Sequence, residues 1–127
     1  MYEYMKISDV PVLAAEYDDY IFARCSFLDD FYECDISEKA LLLKDEPIGG
    51  ILSRESYCDL AAMAHKLSND YSLPIPSWVM KDEYVMLNPE YYLDTKKESV
   101  QEILREISPP EYKMRNLFLG ANILTRK

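Results

Sequence analysis

VPVLAAEYDDYIFARCSFLDDFYE, residues 10–33, decides how the fold is read. Within it Val10, Leu13, Tyr17, Tyr20, Ile21, Arg24, Leu28, Phe31 and Tyr32 recur at three- and four-residue intervals, with Glu16, Asp18, Asp19, Asp29 and Asp30 on the other side. Side chains three and four apart share one face of an α-helix, so the spacing predicts a single long amphipathic helix over 10–33. Ser8 and Asp9 offer capping oxygens ahead of it, and Pro11 suits an early helical position.

Working outward, Ser37 can cap a second helix through Leu43, which Asp45-Glu46-Pro47 closes because the residue before proline avoids helical geometry. Ile48-Gly49-Gly50-Ile51 is a turn without the lysine and spacing of a phosphate-binding loop. Ser53 opens a third helix over about 54–69, whose small Ala61, Ala62 and Ala64 allow close approach of a neighbour. Leu73-Pro74-Ile75-Pro76-Ser77-Trp78 reads as an extended strap, since neither proline fits a helix interior. Tyr84-Val85-Met86-Leu87 is β-prone but too short to imply a sheet of its own. A fourth helix is expected over 97–107. Ser108-Pro109-Pro110-Glu111 then has the pattern of a capping box before a short helix to about Asn116. The expected architecture is all-α: one domain over 1–127 with irregular proline-rich connections and at most a small β element.

A chain of 127 residues with 49% hydrophobic and 29% charged side chains has the composition of a globular domain and excludes disorder. Three glycines and the lack of a long apolar run argue against membrane spans. Met1-Tyr2-Glu3-Tyr4 lacks the basic and apolar regions of a secretion signal, so a cytoplasmic protein is expected.

Charge is unevenly spread. Residues 1–100 carry 9 basic and 20 acidic side chains, net −11, whereas 101–127 carry 5 and 3, net +2. Nucleic-acid binding draws its affinity from neutralised phosphates, which disfavours it here; Lys113, Arg115, Arg126 and Lys127 form the one small basic patch. An acidic body suits solubility and, in a functional sense, a basic protein partner.

No arrangement of residues names a reaction. Cys25, Cys34 and Cys58 form no C-x-x-C pair and read as reduced, buried thiols. His65 lies two helical turns from Cys58, about 10 Å of rise and too far for direct proton transfer. Asp29, Asp30, Glu33 and Asp35 lack the order of a calcium loop and read as the solvated end of a helix. No metal ligand set, cofactor motif or catalytic residue is therefore expected. Seven of the eleven tyrosines precede residue 72, as helix-face core residues or as interface contacts. Arg115, among Met114, Asn116, Leu117 and Phe118, needs a carboxylate or carbonyl. It either clamps an acid of the first helix or the proline-rich strap, or anchors a ligand's carboxylate or phosphate. Trp78 reads as a core plug with its N–H on a backbone carbonyl.

Phe27-Leu28-Asp29-Asp30-Phe31, Asp45-Glu46-Pro47, the alanine-rich 60–67, Pro76-Ser77-Trp78-Val79 and the closing run from Ser108 through Phe118 with Leu124-Thr125-Arg126 carry a resemblance. Together they resemble an uncharacterised family of small bacterial helical proteins. The most specific part is S-P-x-E-[FY]-x-x-R-N-[LI]-F followed by L-x-R. The resemblance implies domains found beside or fused to helix-turn-helix regulators, in toxin–antitoxin-like gene pairs with a nucleotidyltransferase-like partner. It supplies no catalytic residues, and the chain has no helix-turn-helix segment.

The expectation is a non-enzymatic protein-interaction module, an antitoxin-like or regulatory partner of another bacterial protein. Its acidic face, with Asp18, Asp19, Asp29 and Asp30, would cover a basic site on a toxin-like or nucleotidyltransferase-like protein. The alternative is a small-molecule or nucleotide-binding domain with its pocket among Trp78, Tyr91, Tyr92, Arg115 and Phe118, an aromatic setting with one fixed cation. Oligomeric state is left open by the sequence.

Overall fold

Asp18 and Asp19 divide the expected 10–33 helix in two. In the computed structural model, which describes residues 3–120 and 122–124, α1 spans Val10–Tyr17 and α2 spans Tyr20–Glu33. Asp18 takes left-handed geometry (φ 50°, ψ 43°) and ends α1; Asp19 is extended, and its Oδ1 accepts the Phe22 N–H at 3.0 Å to cap α2. Aspartate tolerates the left-handed region and is a strong N-cap, so two consecutive aspartates can stop one helix and start the next. The periodicity carried across them hid the break. α1 and α2 fold against each other as a hairpin, burying Val10, Ala14, Ala23, Phe27, Leu28 and Phe31. Tyr17 and Ile21, expected on the core face, instead lie exposed at the hairpin's tip.

Ahead of α1, Ile7–Asp9 forms a 3-10 turn in which Asp9 Oδ2 accepts the Lys6 N–H at 3.1 Å. α3 spans Ile36–Lys44, one residue longer at each end than expected, and its cap position is Asp35, not Ser37. Lys39 from α3 is buried against the end of α2. Its ammonium donates to the Cys34 carbonyl at 2.9 Å and lies 4.8 Å from the Phe31 ring centre, so α2's terminal carbonyls and an aromatic face balance the charge.

α4, Arg54–Asp70, is the central element. Ser53 caps it by accepting the Ser56 N–H at 3.2 Å, and Cys58, Leu60, Ala61, Ala62, Met63 and Ala64 are fully buried. The loop before it, with Gly50 at φ 83°, is pinned by the Tyr57 hydroxyl, which donates to Ile48 O and accepts the Ile51 N–H at 3.1 Å. Residues 73–76 run as an irregular strap and lead into 3-10 turns at Ser77–Met80 and Asp82–Tyr84 that pack on α4. Trp78 is buried, donating its indole N–H to Leu43 O at 3.1 Å and meeting the Tyr84 ring edge to face.

The β element lies not at 84–87 but at Glu90–Tyr91, β1, which pairs in parallel with β2, Leu117–Phe118. α5 covers Glu98–Ile107 and α6 covers Pro110–Lys113, shorter than expected because Asn116 turns into left-handed geometry (φ 60°). The capping box expected at Ser108–Glu111 does not form. Ser108 ends α5, and its hydroxyl accepts the Leu119 N–H at 2.8 Å, tying the end of α5 to the chain beyond β2. The molecule is mainly helical, with this two-stranded sheet as its β content among the described residues, and no described helix is long and apolar enough to cross a membrane.

Candidate functional site

Arg24 is a charged residue on the packed side of α2, and it meets Asp59 of α4. Its Nε donates to Asp59 Oδ2 at 2.7 Å, with both side chains largely shielded from solvent. The Tyr20 hydroxyl donates to Asp59 Oδ2, and the Tyr112 hydroxyl donates to Oδ1 at 2.9 Å. α2, α4 and α6 thus converge on one carboxylate. Burial and the Asp59 charge beside them push both phenols well above their ordinary range. Burial works against the Arg24 charge, but Asp59 outweighs it and holds the guanidinium protonated. One carboxylate accepts from a guanidinium on α2, a phenol on α2 and a phenol on α6, so the cluster clamps three elements together.

Above this clamp lies a cavity of about 310 Å³ lined by Tyr20, Ile21, Arg24, Glu55, Asp59 and Tyr92, among others. It continues into a basin of about 590 Å³ with Glu90, Tyr91 and Asp94. Burial first, then the neighbouring Glu90, Asp59 and Asp94 carboxylates, raise the Glu55 pKa.

Asp18 and Asp19 stand exposed at the α1–α2 tip beside Tyr17 and Phe22, whose rings meet edge to face with centres 5.2 Å apart. Asp29 and Asp30 sit on α2, ten and eleven residues beyond its Asp19 cap, about 15 Å along the axis. Asp30 accepts the Met5 N–H at 2.7 Å and so fastens the N-terminal segment. The four acids therefore belong to two places, the hairpin tip and the far end of α2. Among the described residues no group of three or more His, Cys, Asp and Glu is arranged to hold a metal ion.

Trp78, Tyr91, Arg115 and Phe118 fall in two settings, Trp78 and Arg115 in the core and Tyr91 with Phe118 at the small sheet. Arg115 is buried, donating from Nη2 to Val79 O and from Nη1 to Glu111 O, both at 2.7 Å. Its Nη1 also lies 3.2 Å from His65 Nδ1; a guanidinium can only donate, so that nitrogen accepts and the imidazole proton resides on Nε2. Arg115 holds the Ser77–Met80 turn after the strap through a carbonyl and, among the described residues, no carboxylate, and its Nε has no partner among them. Burial lowers its pKa, and burial followed by the Arg115 charge lowers that of His65. Tyr91 stacks on Phe118, its register partner in the sheet, with ring centres 5.1 Å apart and planes at 22°. Tyr91 and Tyr92 line the basin, whereas Trp78 and Arg115 face the core. Of the basic patch, Arg126 and Lys127 lie outside the described residues, as does Thr125 of the closing motif.

The clamp was missed in the sequence, although Arg24 in an apolar register was its signal: a cation holds such a position only with an acid opposite. Comparison with protein-family models, with curated proteins and with solved structures finds no match for this chain.

Proposed function

We propose that this protein is a cytoplasmic, non-enzymatic interaction module, an antitoxin-like or regulatory partner that covers a basic site on another bacterial protein. The observation that carries the reading is the α1–α2 tip. Tyr17 (58% exposed), Ile21 (63%) and Phe22 (47%) stand in solvent next to Asp18 and Asp19. Exposed aromatic anchors beside charges complementary to a partner are the usual makings of an interface hot spot. The Asp59 cluster is a second support, because its guanidinium and phenols are engaged in holding α2, α4 and α6 together. The resemblance of segment 108–118 supplies the class of partner, a toxin-like or nucleotidyltransferase-like protein. In the fold, that segment locks the core through Tyr112 and Arg115.

The test is capture from host cells with the full chain as bait, beside the variant Tyr17→Ala/Phe22→Ala. The reading expects one stoichiometric protein with the wild type and its loss with the variant. No stoichiometric protein, or one retained equally by the variant, would overturn it.

A further inference from the structure

Three neighbouring hollows share lining residues. The hollow beside Asp18 and Asp19 shares Tyr20 and Ser56 with the cavity over Asp59. That cavity shares Glu55, Tyr92, Leu117 and Leu119 with the basin at β1. The result is a groove from the hairpin tip, across the first turn of α4, to the small sheet. Its floor is apolar, with Ile21, Leu117, Leu119 and Ile123.

Its charge is one-sided. Arg24 is engaged by Asp59, and Lys96 reaches Asp94 only at 3.6 Å, with both side chains in solvent. Arg105 lies over the Tyr91 ring at 5.9 Å and donates to its hydroxyl at 2.8 Å. Glu55 and Glu90 have no cationic partner among the described residues, and an apolar floor beside these carboxylates favours a side chain with an apolar stem and a cationic head. Tyr92, half exposed at the junction, offers a ring face to such a head, as Tyr91 already does to Arg105.

We infer that the groove receives an extended segment of the partner protein, with an arginine or lysine head in the basin of Glu55 and Glu90 and its stem on Leu117 and Leu119. This rests on the interaction reading and names the chemistry of what is bound. Arginine is favoured over lysine because its planar head can stack on Tyr92 while donating to both carboxylates.

The test is fluorescence anisotropy with the full chain and a labelled hexapeptide of alternating arginine and valine. A citrulline–valine peptide serves as the neutral isostere. Exchange of arginine for citrulline, or the variant Glu55→Gln/Glu90→Gln, is expected to weaken binding about tenfold or more, the scale of a lost charge-assisted contact. The variant Glu16→Gln/Glu102→Gln changes net charge equally on exposed sites outside the groove, and is expected to weaken binding less than about twofold. Equal binding of the citrulline peptide, or equal losses in the two variants, would overturn the inference. So would capture of the stoichiometric partner by Glu55→Gln/Glu90→Gln at wild-type level while Tyr17→Ala/Phe22→Ala loses it. That last outcome would leave the interaction reading standing.

Discussion

Arg24 Nε and Asp59 Oδ2, 2.7 Å apart and largely shielded from solvent, join α2 to α4, and Tyr112 brings α6 to the same carboxylate. Removing one partner of such a pair leaves the other charge buried without compensation. Asp59→Asn is expected to cost about 3–5 kcal/mol of stability in urea unfolding. Arg24→Gln/Asp59→Asn should cost less than the sum of the single changes, because neither charge is then stranded. A loss below about 1 kcal/mol for Asp59→Asn would show that the clamp does not hold the fold.

Arg115 is a second, different fastening. Two of its nitrogens meet the carbonyls of Val79 and Glu111, joining the Ser77–Met80 turn to α6 and the turn after it. Arg115→Met keeps the bulk and strands both carbonyls, and is expected to lower stability by about 2–3 kcal/mol. Protection of the Val79 and Lys81 amides of the Ser77–Met80 turn from hydrogen exchange should fall more than that of α2. Uniform loss across both would contradict a local role.

The paired aspartates give a test of why the first helix breaks. Asp19→Ala removes the cap on Phe22 N–H and is expected to cost about 1 kcal/mol. Asp18→Val forces a β-branched residue into left-handed geometry and should cost about 1–2 kcal/mol, while Asp18→Gly is tolerated. Were Asp18→Val as stable as wild type, the left-handed turn would not be what separates α1 from α2.

His65 sets a pH dependence of defined sign. Its folded pKa lies below the ordinary 6.5 because of burial and then Arg115, so the unfolded chain binds the proton more readily. Stability is therefore intact above about pH 6.5 and falls as pH drops below it. His65→Asn places an amide oxygen near the Nδ1 position without a titrating group. Relative to this variant, the wild type should lose stability between about pH 7 and about pH 5. Parallel curves would show that His65 does not titrate against Arg115.

What was legible in the sequence follows physical range. The Ser53 cap and the apolar run of α4 are local signals, and both stand in the structure. Asp18 and Asp19 were also local, but apolar periodicity on either side masked two residues whose chemistry is to end and begin helices. Ser108 could not be read, since its hydroxyl is used by Leu119, eleven residues on, and no pattern within the run 108–111 reveals that. The clamp at Asp59 unites residues 35 and 53 positions away, and the groove's Glu55 and Glu90 come to one basin from α4 and β1, elements distant in the sequence.

The central claim is that the α1–α2 tip works by contact, and its most direct measurement is photocrosslinking in host cells from a benzophenone side chain placed at Phe22. The account predicts one protein adduct from the tip, absent when the same probe sits at exposed Glu102 on α5. Adducts of equal yield and identity from both positions, or none from the tip, would contradict it.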